Sequence, residues 1–276
     1  MTAKMLSYIE RDSPIHRLTG ATKLLCFFMW SGAAMLTYDT RVLAFFFLAS
    51  VAVFKISKVR VAEISFILIF ILVFLALNDI AIYLFSPQEG VKIYGTKHVL
   101  FPLPGHYDVT LEQLFYQLNI TMKYLTVLPA ALLFIVTTHP SEFAASLNRI
   151  GVSYRIAFSV ALALRYIPDI QRDFRTIAHA QQARGIDLSR KEKLPKRVKN
   201  ALAILFPLIF TSLDRIETIT NAMALRGFGK KKRRTWYSAR PFARRDYIAL
   251  GVMGLIFVLS LLITFHDKTR FYNPFS

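Results

Sequence analysis

The sequence predicts an all-α integral membrane protein with about five transmembrane helices and a cytoplasmic pair of long amphipathic coupling helices. Of its 276 residues, 54% are hydrophobic and 14% are aromatic, which is more apolar surface than a soluble domain of this size commonly needs. The chain also carries 35 Lys and Arg against 17 Asp and Glu, a formal net charge of +18. Because the apolar and basic residues occupy different stretches, we expect the charges to lie beside a membrane and not within it.

Five apolar runs approach the length needed to cross about 30 Å of hydrocarbon at about 1.5 Å of helix per residue. The predicted spans are residues 18–38, 42–56, 64–85, 111–138 and 247–265. The second run is short, so it needs Lys55 and Lys58 to extend to the interface, or the bilayer to thin.

Two more apolar stretches, residues 152–167 and 198–213, are shorter than a comfortable span. The first contains Arg155 and Arg165, and a charge at mid-bilayer costs about 2.5–3.5 kcal/mol on insertion scales. We therefore predict that both are membrane-proximal helices packed at the inner face. The alternative is an additional hairpin, which adds two crossings and leaves both termini on the same sides.

The distribution of basic residues predicts the orientation. With the N-terminus inside, the cytoplasmic side receives 22 Lys and Arg between residues 138 and 246 alone, and the external side holds five in the whole chain. Such a bias is typical of cytoplasmic loops. We predict a multi-pass protein of a prokaryotic plasma membrane, with a cytoplasmic N-terminus and an external C-terminus. Residues 1–137 hold the N-terminal transmembrane helices, residues 138–246 the coupling-helix domain, and residues 247–276 the last transmembrane helix and an outer tail.

The basic middle region contains two amphipathic helical patterns, each ending in an arginine followed by glycine. The first ends at Ala183-Arg184-Gly185, and its apolar positions are Ile167, Ile170, Phe174 and Ile177. The second ends at Ala224-Leu225-Arg226-Gly227, and its apolar positions are Ile209, Leu213, Ile216, Ile219 and Met223.

Two interpretations of these endings are compatible. Glycine supplies the left-handed position that stops a helix, and arginine faces the negative end of the helix dipole, so the endings act as helix caps. Arginine beside small residues also presents a rigid fork of donors to carboxylates or carbonyls in a partner groove. In an antiparallel helix pair the two arginines would lie about 45 Å apart along the second helix, less any bend at Pro207. That spacing suits two similar partners side by side.

Further motifs occur in order along the chain. They are Ser13-Pro14-Ile15-His16-Arg17-Leu18, Thr137-Thr138-His139-Pro140, Leu147-Asn148-Arg149-Ile150-Gly151-Val152, Ala163-Leu164-Arg165-Tyr166-Ile167-Pro168 and Arg234-Thr235-Trp236-Tyr237. Together with the two arginine motifs, this ordered set resembles the transmembrane T component of energy-coupling factor (ECF) transporters, the family that includes the cobalt-transport permease of the CbiQ type. Two positions differ from the family pattern: Leu225 stands where alanine is usual, and Thr19-Gly20-Ala21 where Asp-Pro-Arg is usual.

The resemblance implies a transport complex of three kinds of protein. Two cytoplasmic ABC-type ATPases would bind the motifs around Arg184 and Arg226, and a small membrane S component would capture a vitamin, a vitamin precursor or a transition-metal ion. ATP and magnesium would be bound by the ATPases, so this chain would need no cofactor of its own. Pro140, Arg165 and Pro168 would be structural residues of the family motifs.

Other residues give weaker signals. Asp79 and Lys123 are ionisable residues inside or near apolar spans, and a structural pair between them, or simple snorkelling to the interface, is weighed equally against a role in transport. His98 and His106 share a loop, which favours ordinary polarity over a metal site. For Asp169 and Asp173 we expect ion pairs with nearby arginines rather than acid–base chemistry. The basic run of residues 230–234 favours anionic lipid and the positive-inside bias over nucleic acid.

The chain has no Gly-x-x-x-x-Gly-Lys-Ser/Thr motif, so ATP binding of that kind is assigned to partners. No arrangement of catalytic or metal-ligating residues is recognisable, and we predict a non-enzymatic subunit. The alternatives are a self-sufficient secondary transporter, which needs inverted repeats and broken helices, and a membrane scaffold. A membrane-bound enzyme needs a catalytic group that the sequence does not present.

Overall fold

The computed structural model describes residues 11–102, 104, 107–186, 193–230, 235–237, 239–266 and 270–275. Within these residues nearly all regular structure is helical, which confirms the all-α prediction. The elements are α1 (Gly20–Leu36), α2 (Thr40–Ile56), α3 (Val61–Phe85), α4 (Glu89–Tyr94), β1 (Val99–Phe101), β2 (Val109–Thr110), α5 (Leu111–Thr137), α6 (Pro140–Arg149), α7 (Tyr154–Ala183), α8 (Leu194–Leu225) and α9 (Arg244–His266). They form two compact units: residues up to 139 with those from 240 onward, and residues 140–239.

All five predicted spans fall on helices, but not all of these helices are long. Among the described residues, α3, α5 and α9 are long and apolar enough to cross a membrane. α1 and α2 have 17 residues each and extend about 26 Å, somewhat less than the hydrocarbon thickness. Length and composition therefore support three of the five predicted crossings directly.

The first unit has a small core of tightly packed side chains. Trp30 of α1 meets Phe46 of α2 edge to face, with 4.7 Å between ring centroids, and both pack with Met253 of α9. The indole nitrogen of Trp30 donates to the carbonyl of Thr126 in α5 at 3.2 Å. Many other apolar side chains of these helices stay exposed, such as Phe70 at 68%, as lipid-facing residues do.

A carboxylate joins the beginnings of α1 and α9. Asp246 is 1% exposed and accepts from the backbone amide of Thr19 at 2.8 Å and its hydroxyl at 3.1 Å. It also accepts from the amide of Ala243 at 2.8 Å. Thr19 in turn accepts from Thr22 as the N-cap of α1. The carboxylate of Asp246 therefore places a negative charge beside the N-terminus of α1, where the helix dipole favours it.

The segment between α3 and α5 is more ordered than the predicted loop. It contains α4 and the β1–β2 hairpin, and Glu112, buried at the start of α5, accepts from the backbone amide of His98 at 3.0 Å and pairs with its ring nitrogen at 2.6 Å. The C-terminal tail packs here too, since Phe275 lies 5.7 Å from the ring of Tyr94. His106 lies outside the described residues.

The second unit consists of α6, α7 and α8. Residues 152–167 and 198–213, which the sequence suggested as separate membrane-proximal helices, overlap the N-terminal halves of α7 and α8. Pro168 and Pro207 lie inside these helices without ending them. The apolar stretches and the amphipathic patterns therefore belong to the same two helices, of 30 and 32 residues.

Candidate functional site

Both arginine motifs lie at the C-terminal ends of the long helices of the second unit. We call residues 183–185 the first tip and residues 224–227 the second tip. Arg184 and Arg226 are the C-cap residues, with φ and ψ of −85° and 8° in one and −81° and 7° in the other. Gly185 and Gly227 follow with φ of +84° and +66°. The prediction that glycine provides the left-handed position is confirmed at both tips.

The two helix ends also share one hydrogen-bond pattern. After the first tip, the amide of Gly185 donates to the carbonyl of Gln182 at 2.9 Å, and that of Ile186 to Gln181 at 3.1 Å. At the second tip, the amide of Gly227 donates to Ala224 at 2.9 Å, and the amide of Phe228 donates to Met223 at 3.0 Å. These are the paired bonds of the Schellman motif, so the two tips have the same backbone shape.

The two long helices run antiparallel, which is the arrangement assumed when the separation of the two arginines was expected from the sequence. Gln181, near the end of α7, donates its amide to the carbonyl of Ala203 near the start of α8 at 3.0 Å. Closer to the middle of both helices, Arg215 of α8 donates to the carboxylate of Asp173 of α7 at 2.6 Å. Because Gln181 lies beside Ala203, about 23 residues of α8 separate the level of the first tip from Arg226, or about 35 Å in a straight helix, which is less than the sequence-based value of about 45 Å.

The residues of both tips are accessible. Ala183, Arg184 and Arg226 are exposed, and Leu225 is 91% exposed. The last carbonyls of each helix carry the negative end of its dipole, which favours the guanidinium at this position. Each tip therefore combines a hydrogen-bonded Schellman backbone with an accessible cation.

Most of the predicted apolar positions are exposed as well, whereas Ile177, Ile219 and Met223 are half-buried. In α7, Ile167, Ile170 and Phe174 are 41–49% exposed. The exposed large apolar side chains of α8 are Leu194, Val198, Leu202, Leu205, Phe206, Ile209, Phe210, Leu213, Ile216 and Leu225. The residues buried in these helices are instead Ala157, Ala178 and Ile204. A row of large exposed apolar residues is typical of a surface that contacts lipid or another protein.

Sequence reasoning did not anticipate an aromatic cluster beside the second tip. Phe228 and Trp236 pack on Tyr154 and Phe158, at the beginning of α7. Asn148 of α6 accepts from the indole nitrogen of Trp236 at 3.1 Å. Asn148 and Trp236 stand in two of the family-like motifs, so their presence in those motifs was the available signal.

The three predicted structural residues lie apart from the tips along their helices. Pro140 is the first residue of α6, where a proline needs no hydrogen-bond partner for its nitrogen. Arg165 and Pro168 are exposed within α7. Their role as structural residues stays a prediction.

The pairing of Asp79 with Lys123 is wrong. The Lys123 ammonium donates to the carbonyl of Met35 at 3.0 Å and lies 3.0 Å from the ring centroid of Tyr38. Asp79 accepts from the hydroxyl of Thr121 at 2.8 Å. The two residues lie on different helices and face different partners, so they do not form the charge pair that a self-contained transport path would use.

The two aspartates that the sequence singled out in α7 form ion pairs. Asp169 lies 3.8 Å from Arg172 on the same helix, as expected, but Asp173 pairs with Arg215 across the helix pair rather than with a neighbour on α7. No group of three or more His, Cys, Asp or Glu side chains suited to a metal occurs among the described residues. Residues 231–234 of the basic run lie outside the part of the chain that is described.

Comparisons with known proteins agree on one family. The family model for CbiQ, described as cobalt transport protein, matches residues 11–237. A protein of Bacillus selenitireducens called energy-coupling factor transporter transmembrane protein EcfT is 28% identical over 263 residues, covering 92% of this chain and 94% of its own. The protein of the same name from Lactococcus lactis is 28% identical over 266 residues, covering 93% and 95%. That of Limosilactobacillus fermentum is 33% identical over 150 residues, or 51% and 56% of the two chains.

Proposed function

This chain belongs to the CbiQ family and is a transmembrane T component of an ECF transporter, and we propose that it transmits the energy of ATP hydrolysis from two partner ATPases to an S component. It is a membrane-embedded transport subunit rather than an enzyme. We propose how this chain transmits energy, which partner subunits it contacts, and how it is oriented in the membrane.

The observation that carries the proposal is the pair of like tips at the C-terminal ends of two antiparallel helices, α7 and α8. Arg184 and Arg226 occupy the same backbone position in two Schellman motifs, and both are exposed. A guanidinium offers a planar fork of donors that fits carboxylates and carbonyls in a groove. Two similar cationic tips, separated by most of the length of a long helix, suit two similar ATPase subunits.

The exposed apolar faces of α7 and α8 supply the second contact. An S component is itself a membrane protein, so its surface is apolar and complements Ile170, Phe174 and Ile209 rather than the charged tips. Lipid covers whatever part of these faces the S component leaves free. A displacement of the tips would then reach the S component through the rigid helix pair.

The orientation follows from charge. Because 22 Lys and Arg lie between residues 138 and 246, we place the coupling helices at the cytoplasmic face of the plasma membrane. This puts the N-terminus in the cytoplasm and the C-terminus outside. ATP and magnesium are then bound by the ATPases, and the cargo, a vitamin, a vitamin precursor or a transition-metal ion, is chosen by the S component.

The test uses reversal of both tip charges. In the assembled transporter, Arg184→Glu combined with Arg226→Glu should abolish copurification of the ATPases, or leave ATP hydrolysis without uptake, because a carboxylate repels an acidic groove. Arg175→Glu is the matched control, since it reverses an exposed arginine of α7 away from both tips. Wild-type copurification and uptake in the double variant would overturn the proposal.

A further inference from the structure

We propose that Trp236, held by Asn148, is a positioning residue that fixes the second tip on the beginning of α7, so that movement of this tip is delivered to α6 and α7 together. The inference rests on the proposed coupling function and deepens it. It assigns a mechanical role to residues that do not contact the partner themselves. All of the contacts concerned lie within residues 140–239.

The residue that closes the second Schellman motif is also the one that packs into the aromatic cluster. The Phe228 amide donates to Met223, and the Phe228 ring lies 4.7 Å from that of Phe158 and 5.8 Å from that of Tyr154. These centroid separations fall in the range of favourable aromatic pairs. Because Phe228 follows Arg226 by two residues, the tip cannot shift far without moving this ring.

Trp236 packs on the same two rings. Its ring centroid is 5.4 Å from that of Tyr154 and 6.3 Å from that of Phe158. Phe228 and Trp236 are therefore brought together by a shared platform at the first turn of α7. Aromatic rings in such contact repack between discrete arrangements rather than deform continuously.

Asn148 determines where Trp236 can sit. Its amide nitrogen donates to the carbonyl of Val152 at 2.9 Å, which directs its amide oxygen toward the indole nitrogen of Trp236 at 3.1 Å. The loop from α6 to α7 turns at Gly151, with a φ of +109°, so the carbonyl of Val152 is itself fixed by this turn. This series of contacts thus connects the second tip to α6 as well as to α7.

A spectroscopic experiment tests the positioning role without any partner. In a Cys26→Ala background, spin labels at Lys230→Cys and Ala163→Cys report the distance between the second tip and α7, since both positions are exposed. Trp236→Phe keeps a ring but removes the indole donor, and should broaden the distance distribution about twofold or more. Tyr237→Phe, a change at the adjacent and fully exposed residue, should leave it unchanged.

The bond between Asn148 and Trp236 is tested by a double variant. Asn148→Leu should broaden the distribution as Trp236→Phe does, and the two together should add little to either alone, because both remove the same bond. An unchanged distribution in both single variants would overturn the inference. Fully additive broadening would overturn the role of the bond between them.

In the assembled transporter, the amount of cargo taken up per ATP hydrolysed distinguishes a positioning role from simple stabilisation of the fold. Trp236→Phe should leave copurification of the ATPases intact and lower the cargo taken up per ATP hydrolysed severalfold. Lost assembly in proportion to lost uptake would overturn the positioning role. The wild-type protein could instead bind no ATPase while the spin-label distance between the second tip and α7 still changes in Trp236→Phe. In that case the proposed coupling function would be wrong, and the positioning role of Trp236 would still hold.

Discussion

The two tips have one backbone shape but different surroundings. The first tip follows Gln181, whose side chain reaches the carbonyl of Ala203 at the beginning of α8. The second tip leads through Phe228 into the aromatic cluster that Trp236 completes. The comparison shows that four or five local residues build a tip, whereas contacts distant in sequence decide what a tip can move.

The tips also differ at the residue before the arginine. Ala183 presents a methyl group there, but Leu225 presents a large apolar side chain that is 91% exposed. A side chain of this size alters the surface that a partner meets without altering the helix end beneath it. We therefore expect the two tips to bind their partners with unequal strength even though their backbones match.

We expect the largest effect on uptake from charge reversal at the two tip arginines, and we expect it to differ between them. Arg226→Glu should lower uptake by the assembled transporter more than Arg184→Glu does, by about tenfold or more, because movement of the second tip is transmitted through the aromatic cluster. Uptake of labelled cargo in proteoliposomes measures both. Arg175→Glu controls for added negative charge on the helix pair. If Arg184→Glu and Arg226→Glu lowered uptake equally, the aromatic cluster would not make the two tips functionally different.

We expect a smaller effect, on stability, from substitution of the two tip glycines. Gly185→Val and Gly227→Val each force a branched residue into the left-handed region, at a cost of about 1–2 kcal/mol or more. Space is not the cause: among the described residues, an added Cβ meets nothing within 4 Å at Gly185 and only Lys230 at 3.5 Å at Gly227. Thermal unfolding of the purified protein measures the loss.

The matched control for these glycines is asparagine, which adopts the left-handed conformation more readily. Gly185→Asn and Gly227→Asn should recover most of the stability lost in the valine variants. If asparagine and valine were equally destabilising, backbone conformation would not be what the glycines provide.

The ion pair between α7 and α8 should contribute less to stability than the two glycines do. Arg215 and Asp173 are only about one-third and one-quarter exposed, and solvent still screens them, so Arg215→Met or Asp173→Asn should cost about 0–1 kcal/mol. A double-mutant cycle on thermal stability isolates the pair. A cycle energy well above this range would mean that the register of the two helices depends on this bond, and that the first tip has an anchor of its own.

The smallest effect on stability is expected at Leu225. Since its side chain is almost fully exposed, Leu225→Ala should change stability by less than about 0.5 kcal/mol. The same variant should change the affinity of the second tip for its ATPase, measured by titration of the purified subunits. A large loss of stability would show that Leu225 packs against the chain and does not belong to the partner surface.

The sequence by itself determined the features that depend on neighbouring residues. Apolar runs predicted the five helices α1, α2, α3, α5 and α9, and among the described residues α3, α5 and α9 are long and apolar enough to cross a membrane. The Arg-Gly pairs predicted both helix ends, because only the left-handed conformation at Gly185 and Gly227 is needed to build them. The antiparallel direction of α7 and α8 was an assumption of the sequence analysis, and contacts between the two helices support it.

Only the tertiary structure decided the contacts between residues far apart in sequence. Lys123 could have met Asp79, but helix rotation directs it to the carbonyl of Met35 and the ring of Tyr38. Glu112 binds His98, and Trp236 binds Asn148 across 88 residues. Hydrophobic periodicity determines which face of a helix is apolar, but it does not determine helix register or rotation against a neighbour. Those two variables, set by packing of the whole unit, decide which polar groups meet.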